Sequence, residues 1–305
     1  MVQAVANTPS PILRWAGSKR KLLPHILPCV PKGTARYIEP FAGSCCVFLA
    51  LQPQKAILGD LNPALIDTYK TIRKAPKAVS AAVSGMPNTE QFYYELRASS
   101  VEEMNDVSKA ARFVYLNRHC FNGVYRTNKQ GLFNVPRGTK AGVIPTLENF
   151  QAFAKALHRA SLIAGDFEEC LKEASVGDFV YLDPPYTPPN TRFRGEYGYG
   201  SFSEKDVERL VAALEAADRR GATILLSYIP TIESLLPNWY TRCLSVLRSV
   251  AGFNHQRALV TEMLFSNRPF HFDKESHDKH SNFFDVLRNY LYCYSNLKRI
   301  SLELW

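Results

Sequence analysis

The sequence predicts an α/β protein with an open sheet, and three observations carry that expectation. Short runs rich in apolar, β-branched and aromatic residues recur at 36–39, 55–60, 161–166 and 179–182, the pattern of buried strands. Most of these runs stop at an acid or a glycine or proline turn, and amphipathic stretches with capping residues lie between them. From Pro63 to about Lys155 the alternation is interrupted, and it resumes at Ser161. In open α/β sheets ligands bind beyond the carboxyl ends of the strands, so the residues there are the first candidates for a site.

Composition sets the class. The 305 residues are 46% hydrophobic and 21% charged, the balance of a globular protein with a substantial core. Lys and Arg number 37 against 28 Asp and Glu, and the net charge of +9 favours a polyanionic partner. Residues 1–18 lack the basic head and long apolar run of a signal peptide, and no stretch approaches the length needed to span a bilayer. A cytoplasmic location without membrane contact is therefore expected. The seven cysteines include no Cys-x-x-Cys pair, which points to reduced, buried thiols rather than a disulfide framework or a zinc site.

Taken in order, Leu13 to Arg20 mixes an indole, a glycine turn and three cations. Lys19 suits a carboxylate or phosphate and Gly17 a close ligand, although a surface turn anchored by Trp15 explains the same residues. Arg36 to Glu39 reads as a strand leading into Pro40-Phe41-Ala42-Gly43-Ser44, and a helix is expected from Ser44, as N-cap, through Leu51. That layout brings main-chain N–H groups up to a polar ligand, though one glycine stands where a nucleotide fingerprint carries several. Lys55 to Asp60 is a second strand, ending in an acid roughly 20 residues beyond the turn, where a carboxylate can hold the hydroxyls of a ribose. Asn62 and Pro63 open the next helix.

Within the interrupted stretch, Ser108 to Asn117 is helical. Residues 118–138 then alternate aromatics, amides and arginines between the turn signals Asn122-Gly123 and Gln130-Gly131. A basic, amide-rich hairpin or loop suits groove contacts, Arg to guanine and Asn to adenine. A solvated hairpin capped by its own asparagines is the other reading.

Ser161 to Asp166 is again a strand ending in an acid, followed by Phe167. Asp166 either takes an exocyclic amine, with Phe167 against the ring, or simply caps the short helix that follows. Residues 188–201 read as a mobile surface loop, and Ser203 to Asp206 as a capping box for a helix that runs to Arg220 and stops at Gly221. Thr223 to Tyr228, Leu244 to Val250 and Glu262 to Phe265 read as further strands, with His255 and Arg257 in a loop between the last two. In the tail, the spacing of His271, His277 and His280 matches no metal site, so no metal is expected.

The four residues after the strand Phe179 to Leu182 are Asp183-Pro184-Pro185-Tyr186. Two prolines end the strand abruptly, leaving a carboxylate and an aromatic ring at its carboxyl end. This suits an exocyclic amine on a flat ring, whose lone pair is delocalised until acceptors grip its hydrogens. Asp183 can accept one hydrogen and the carbonyl of Pro184 the other, while Tyr186 stacks on the ring and Asp183 stabilises the charge that develops on methylation. A proline turn with Tyr186 as a core aromatic accommodates the same residues.

As a set, Leu13 to Lys19, Glu39 to Gly43, Gly59 to Asn62, Asn117 to Pro136 and Asp183 to Tyr186 have the order and spacing of the Dam-type family of DNA adenine-N6 methyltransferases. The chain resembles that family from about Ile12 to Pro269. The resemblance implies a Rossmann-like S-adenosylmethionine-dependent methyltransferase fold. Its catalytic domain would comprise 1–62 and 156–305, with an inserted, mainly helical target-recognition domain at 63–155 carrying a β-hairpin. It implies methyl transfer from S-adenosylmethionine to N6 of an adenine flipped out of double-stranded DNA. Trp15 and Lys19 would hold the methionine end of the cofactor, Lys19 on its carboxylate. Glu39, Pro40, Phe41 and Gly43 would form the first cofactor turn, Asp60 would bind the ribose, and Asp166 and Phe167 would receive the adenine. Asp183, Pro184 and Tyr186 would be catalytic, Asp183 also lying beside the cofactor. Arg118, Asn122, Arg126, Asn128 and Arg137 would contact DNA.

One position departs from the family pattern. Cys45 stands where a small residue, often glycine, is usual, and it is expected to be accommodated if its φ is ordinary. A partner restriction endonuclease is not readable from the residues. The rival readings are an enzyme acting on cytosine N4 or on RNA, and a non-catalytic DNA-binding module. The presence together of Lys19, Asp60, Asp183 and Tyr186 weighs against the second.

Overall fold

Four short strands occupy the expected runs: β1 (Arg36–Glu39), β2 (Ala56–Asp60), β3 (Ala160–Ala164) and β4 (Asp178–Leu182). The computed structural model describes residues 9–128, 130–139, 142–186, 202–249 and 257–270. β1 lies between β2 and β4, parallel to both, and β3 runs parallel on the far side of β2. With β5 (Thr223–Tyr228), β6 (Tyr240–Ser249) and β7 (Arg257–Ser266), the sheet has seven strands among the described residues, in the order β3-β2-β1-β4-β5-β7-β6. β4 is buried throughout and β2 at all but its last residue, as strands covered on both faces must be. The register, Glu39 beside Leu58 and Ile38 beside Val180, brings the carboxyl ends of β1, β2 and β4 to one edge. Glu39, Asp60 and Asp183 therefore leave the sheet together.

The chain divides into two compact units, 1–225 and 226–305. In the first, α1 (Leu23–Ile26) precedes β1, and α2 (Cys46–Leu51) follows the turn after it. Next come α3 (Pro63–Lys74), α4 (Pro76–Ser84), α5 (Glu90–Ala98), α6 (Asp106–His119), which contains the expected helix Ser108 to Asn117, and α7 (Leu147–Leu157). The Asn62 side chain caps α3, accepting from the Leu65 N–H at 3.3 Å, with Pro63 in the first turn. α6 and α7 pack on α3 and α4, and α3 and α7 also reach β3, so these helices lie in the same unit as the parallel strands. α8 (Phe167–Leu171) and α9 (Glu204–Arg219) follow, α9 opening on the Ser203/Asp206 capping box and ending before Gly221 at φ +89.

In the second unit β6 and β7 form an antiparallel pair from Tyr240 opposite Ser266 to Ser249 opposite Arg257. This corrects two expectations: both strands are longer than the apolar runs, and Arg257 begins β7 instead of lying in a loop. Polar residues such as Thr241, Arg242 and Thr261 break the apolar run without breaking the ladder. The segment 188–201, His255 and the tail with its three histidines lie outside the described residues.

The segment 118–138, expected as a hairpin or loop, lies between the two. The chain does double back, but its described residues carry isolated bridges, Cys120 with Arg137 and Thr127 with Phe133, and no continuous ladder. Asn122 and Gly123 both take positive φ, +52 and +67, and twist one leg at its start. Pro136 has no N–H to give the other. The result is an irregular loop tied by Asn134 N–H to Arg126 O at 3.1 Å and Asn128 N–H to Leu132 O at 2.9 Å.

Candidate active site and reading loop

After β1 the chain turns sharply at Gly43, whose φ is +44 and where a Cβ would lie 2.7 Å from the Trp15 ring. Only glycine lets the indole pack on this turn. The Gly43 N–H donates to Asp60 Oδ2 at 3.1 Å and the Asn62 N–H to Asp60 Oδ1 at 3.0 Å. The Tyr69 hydroxyl donates to the Gly43 carbonyl at 2.5 Å. Asp60 thus braces the turn against the start of α3. Burial pushes its carboxyl up to about 6, opposed by the two N–H groups. Each of its oxygens keeps a second acceptor direction.

Ser44 does not cap the next helix. α2 begins at Cys46, behind Cys45 at φ 58 and ψ 28, with no side-chain cap. The φ of Cys45 is therefore not ordinary, and the condition for easy accommodation fails. A side chain in this left-handed region costs about 1–2 kcal/mol. Burial of the thiol, 0% exposed, and the Cys45 N–H bond to Ala42 O at 2.7 Å offset it.

Glu39 is 3% exposed, and neither its Oε2 nor the neighbouring Tyr37 hydroxyl makes a hydrogen bond of acceptable geometry. Burial pushes the carboxyl up to about 8, Asp183 and Asp60 adding to the rise while Tyr37 and the Phe48 N–H oppose it. Burial is the dominant cause of the rise. An unfolded Glu ionises near 4.5, so between that pH and about 8 the native protein keeps a proton that the unfolded chain has lost. This contribution to stability is full below 4.5 and falls by up to about 1.4 kcal/mol per pH unit across the window. Glu39→Gln should therefore unfold at higher urea than the parent at pH 8.5 and differ little at pH 5. A parent-like pH dependence in the variant would contradict the assignment.

At the end of β4, Lys19 Nζ stands 2.6 Å from Asp183 Oδ1, with the lysine 5% and the aspartate 21% exposed. The ammonium also donates to the Gly17 carbonyl at 3.1 Å and lies 5.2 Å from the Tyr186 ring centroid. The Tyr186 hydroxyl donates to Asp183 Oδ1 at 3.4 Å. Lys19, expected on a cofactor carboxylate, here pairs with the carboxylate of the Asp-Pro-Pro-Tyr stretch.

Phe41 stacks on Phe167 at 5.6 Å, and Phe202 meets Phe41 edge-on at 6.0 Å. Asp166 does act as a helix cap, accepting from the Glu168 N–H at 3.0 Å, and also pairs with Arg209 at 2.9 Å. The Arg209 guanidinium lies 5.1 Å from the Phe167 ring centroid and reaches Glu168 and Asp206 as well. Phe202 and Arg209 escaped the sequence reading, since in sequence Arg209 looks like one more exposed charge on a capped helix.

The arginines of the segment 118–138 separate into two kinds. Arg118, expected at DNA, is turned inward: its Nε and Nη2 donate to the carbonyls of Ile12 and Pro11 at 2.6 and 3.0 Å. Burial lowers its guanidinium to about 10. Arg126 is oriented within the loop, its Nε donating to Asn134 Oδ1 at 2.8 Å. Arg137 donates to Asn88 Oδ1 at 2.9 Å, and Asn128 Oδ1 closes the turn by accepting from the N–H groups of Gln130 and Leu132, both at 3.0 Å. Asn122 is exposed. Among the described residues no group of His, Cys, Asp and Glu is placed to hold a metal, and no helix is long and apolar enough to cross a membrane.

Residues 15–248 match the protein family described as D12 class N6 adenine-specific DNA methyltransferase. The Type II methyltransferase M1.LlaDCHI of Lactococcus lactis subsp. cremoris is 34% identical over 84% of this chain and 95% of its own length. The Retron Ec67 DNA adenine methylase of Escherichia coli is 35% identical over 84% of this chain and 90% of its own. The DNA adenine methylase of Escherichia coli is 32% identical over 84% of this chain and 95% of its own. With the family match over residues 15–248, which include the turn at Gly43 and the Lys19–Asp183 pair, the chain belongs to the D12 class of N6 adenine-specific DNA methyltransferases.

Proposed function

We propose that the protein methylates adenine N6 in double-stranded DNA with S-adenosylmethionine as donor. The observation that supports this most strongly is the gathering of Lys19, Asp183 and Tyr186 at the strand edge that also carries the Asp60-braced turn. The residues present fit the donor. Glu39 offers a buried oxygen without a partner, Asp60 has acceptor capacity for ribose hydroxyls, and Phe41 and Phe167 offer apolar ring faces beside the Asp166 carboxylate. Trp15 and Lys19 would serve its methionine end.

When bound, S-adenosylmethionine supplies a sulfonium methyl group already activated for transfer. The protein must present the amine. Adenine N6 is paired and stacked in a duplex, so the base has to leave the helix first. Asp183 and the Pro184 carbonyl then accept the N6 hydrogens, freeing the nitrogen lone pair from the ring, and Tyr186 stacks on the base. Asp183 stabilises the positive charge that develops on N6. Lys19, 2.6 Å from its Oδ1, holds Asp183 aligned until the amine arrives. We assign catalysis to 1–62 and 156–305 and target reading to 63–155. Asn122, Arg126, Asn128 and Arg137 face DNA, and Arg118 positions the leader.

Equilibrium dialysis with labelled S-adenosylmethionine tests the donor assignment. One saturable site is expected, weakened roughly tenfold or more by Asp60→Asn. Absence of saturable binding, or an unchanged dissociation constant in the variant, would overturn it.

A further inference from the structure

Tyr125 sits at the centre of a column of rings. Phe113 stacks on it at 5.3 Å and Trp15 at 6.1 Å with only 16° between the planes, while Phe133 lies at 5.6 Å. The Trp15 indole packs in turn on Gly43, the turn that Asp60 braces. On the other side, Phe133 bridges to Thr127 across the reading loop and precedes Asn134, which fixes the Arg126 guanidinium. One phenol therefore connects the turn to the loop.

The main chain closes the same junction. The Arg14 N–H donates to Asn117 Oδ1 at 2.8 Å, and Asn117 Nδ2 donates back to the Arg14 carbonyl at 2.6 Å. Gly123, at φ +67, passes so close that a Cβ would lie 2.6 Å from that of Arg14. With the backbones fixed on both sides, the freedom that remains between turn and loop lies in the rings themselves.

We propose that Tyr125 is a positioning residue through which DNA on the reading loop and the methyl donor on the Gly43 turn raise each other's affinity. Either ligand fixes the column on its own side. The second ligand then meets rings already in place, and linkage makes the factor equal in both directions. An aliphatic side chain would leave Trp15 free to drift from Gly43 while the loop keeps its main-chain ties. The proposal rests on the donor and DNA assignments above.

Isothermal titration of S-adenosylhomocysteine, which binds without turnover, into the full chain tests it, with and without a saturating duplex that the protein methylates. The parent should bind more tightly with DNA present. Tyr125→Leu and Tyr125→Met should shrink that ratio by roughly three- to tenfold, the worth of one aromatic pair, while Tyr125→Phe keeps it within about twofold. Should the leucine variant fail to fold, the methionine variant, flexible and of similar bulk, carries the comparison. A ratio of one in the parent, or an unchanged ratio in the folded ringless variants, overturns the proposal. Failure of the parent to bind S-adenosylhomocysteine at all overturns the donor assignment, a distinct result.

Discussion

Asp183→Ala should lower methyl transfer by roughly a thousandfold in single-turnover experiments while leaving duplex affinity within a few-fold of the parent. The reason lies in what the carboxylate is asked to do. It both accepts a hydrogen from the amine and balances the charge that appears on nitrogen, whereas affinity for DNA comes largely from phosphate contacts made elsewhere. Phosphate contacts should hold the duplex with the base delivered but unreacted. A variant that keeps more than about a tenth of the parent rate would remove Asp183 from the chemistry.

Lys19→Met should lower the methyl-transfer rate at saturating S-adenosylmethionine by roughly 10- to 100-fold, the worth of charge-assisted hydrogen bonds lost at a buried site. The ammonium lies 2.6 Å from Asp183 and is 5% exposed, so no solvent molecule takes its place at low cost. Because the two groups act on one another, the double variant Lys19→Met/Asp183→Ala should be little worse than Asp183→Ala alone. Full additivity of the two losses would show that the lysine serves catalysis by a route that does not pass through Asp183.

Much of the parallel half of the sheet was legible because its signals are local. Strand runs, the Asn62-Pro63 start and the Ser203/Asp206 box each report on a few neighbouring residues, and the structure places an element at each. The candidate site was legible as separate pieces. Lys19 and Asp183 were each singled out, but their direct pairing depends on how the leader crosses the sheet edge, which no spacing encodes. Cys45 hid its left-handed backbone because a thiol in place of glycine looks permissive. Arg118 and Arg126 are the same residue type in the same basic stretch, and only the carbonyls of Pro11 and Ile12 decide which one turns inward. In 118–138 the turn signals were legible and the extent of pairing was not, since turns are local and ladders need register along both legs. Tyr125 passed unremarked among neighbouring aromatics because its importance lies in Trp15, far away in sequence.

The most direct test of the account is to incubate the purified protein with methyl-labelled S-adenosylmethionine and duplex DNA, digest to nucleosides, and identify the labelled one by mass spectrometry. N6-methyl-2′-deoxyadenosine is expected as the labelled product, absent with Asp183→Ala. Label on cytosine N4, label in RNA but not DNA, or no transferred label at all would contradict it.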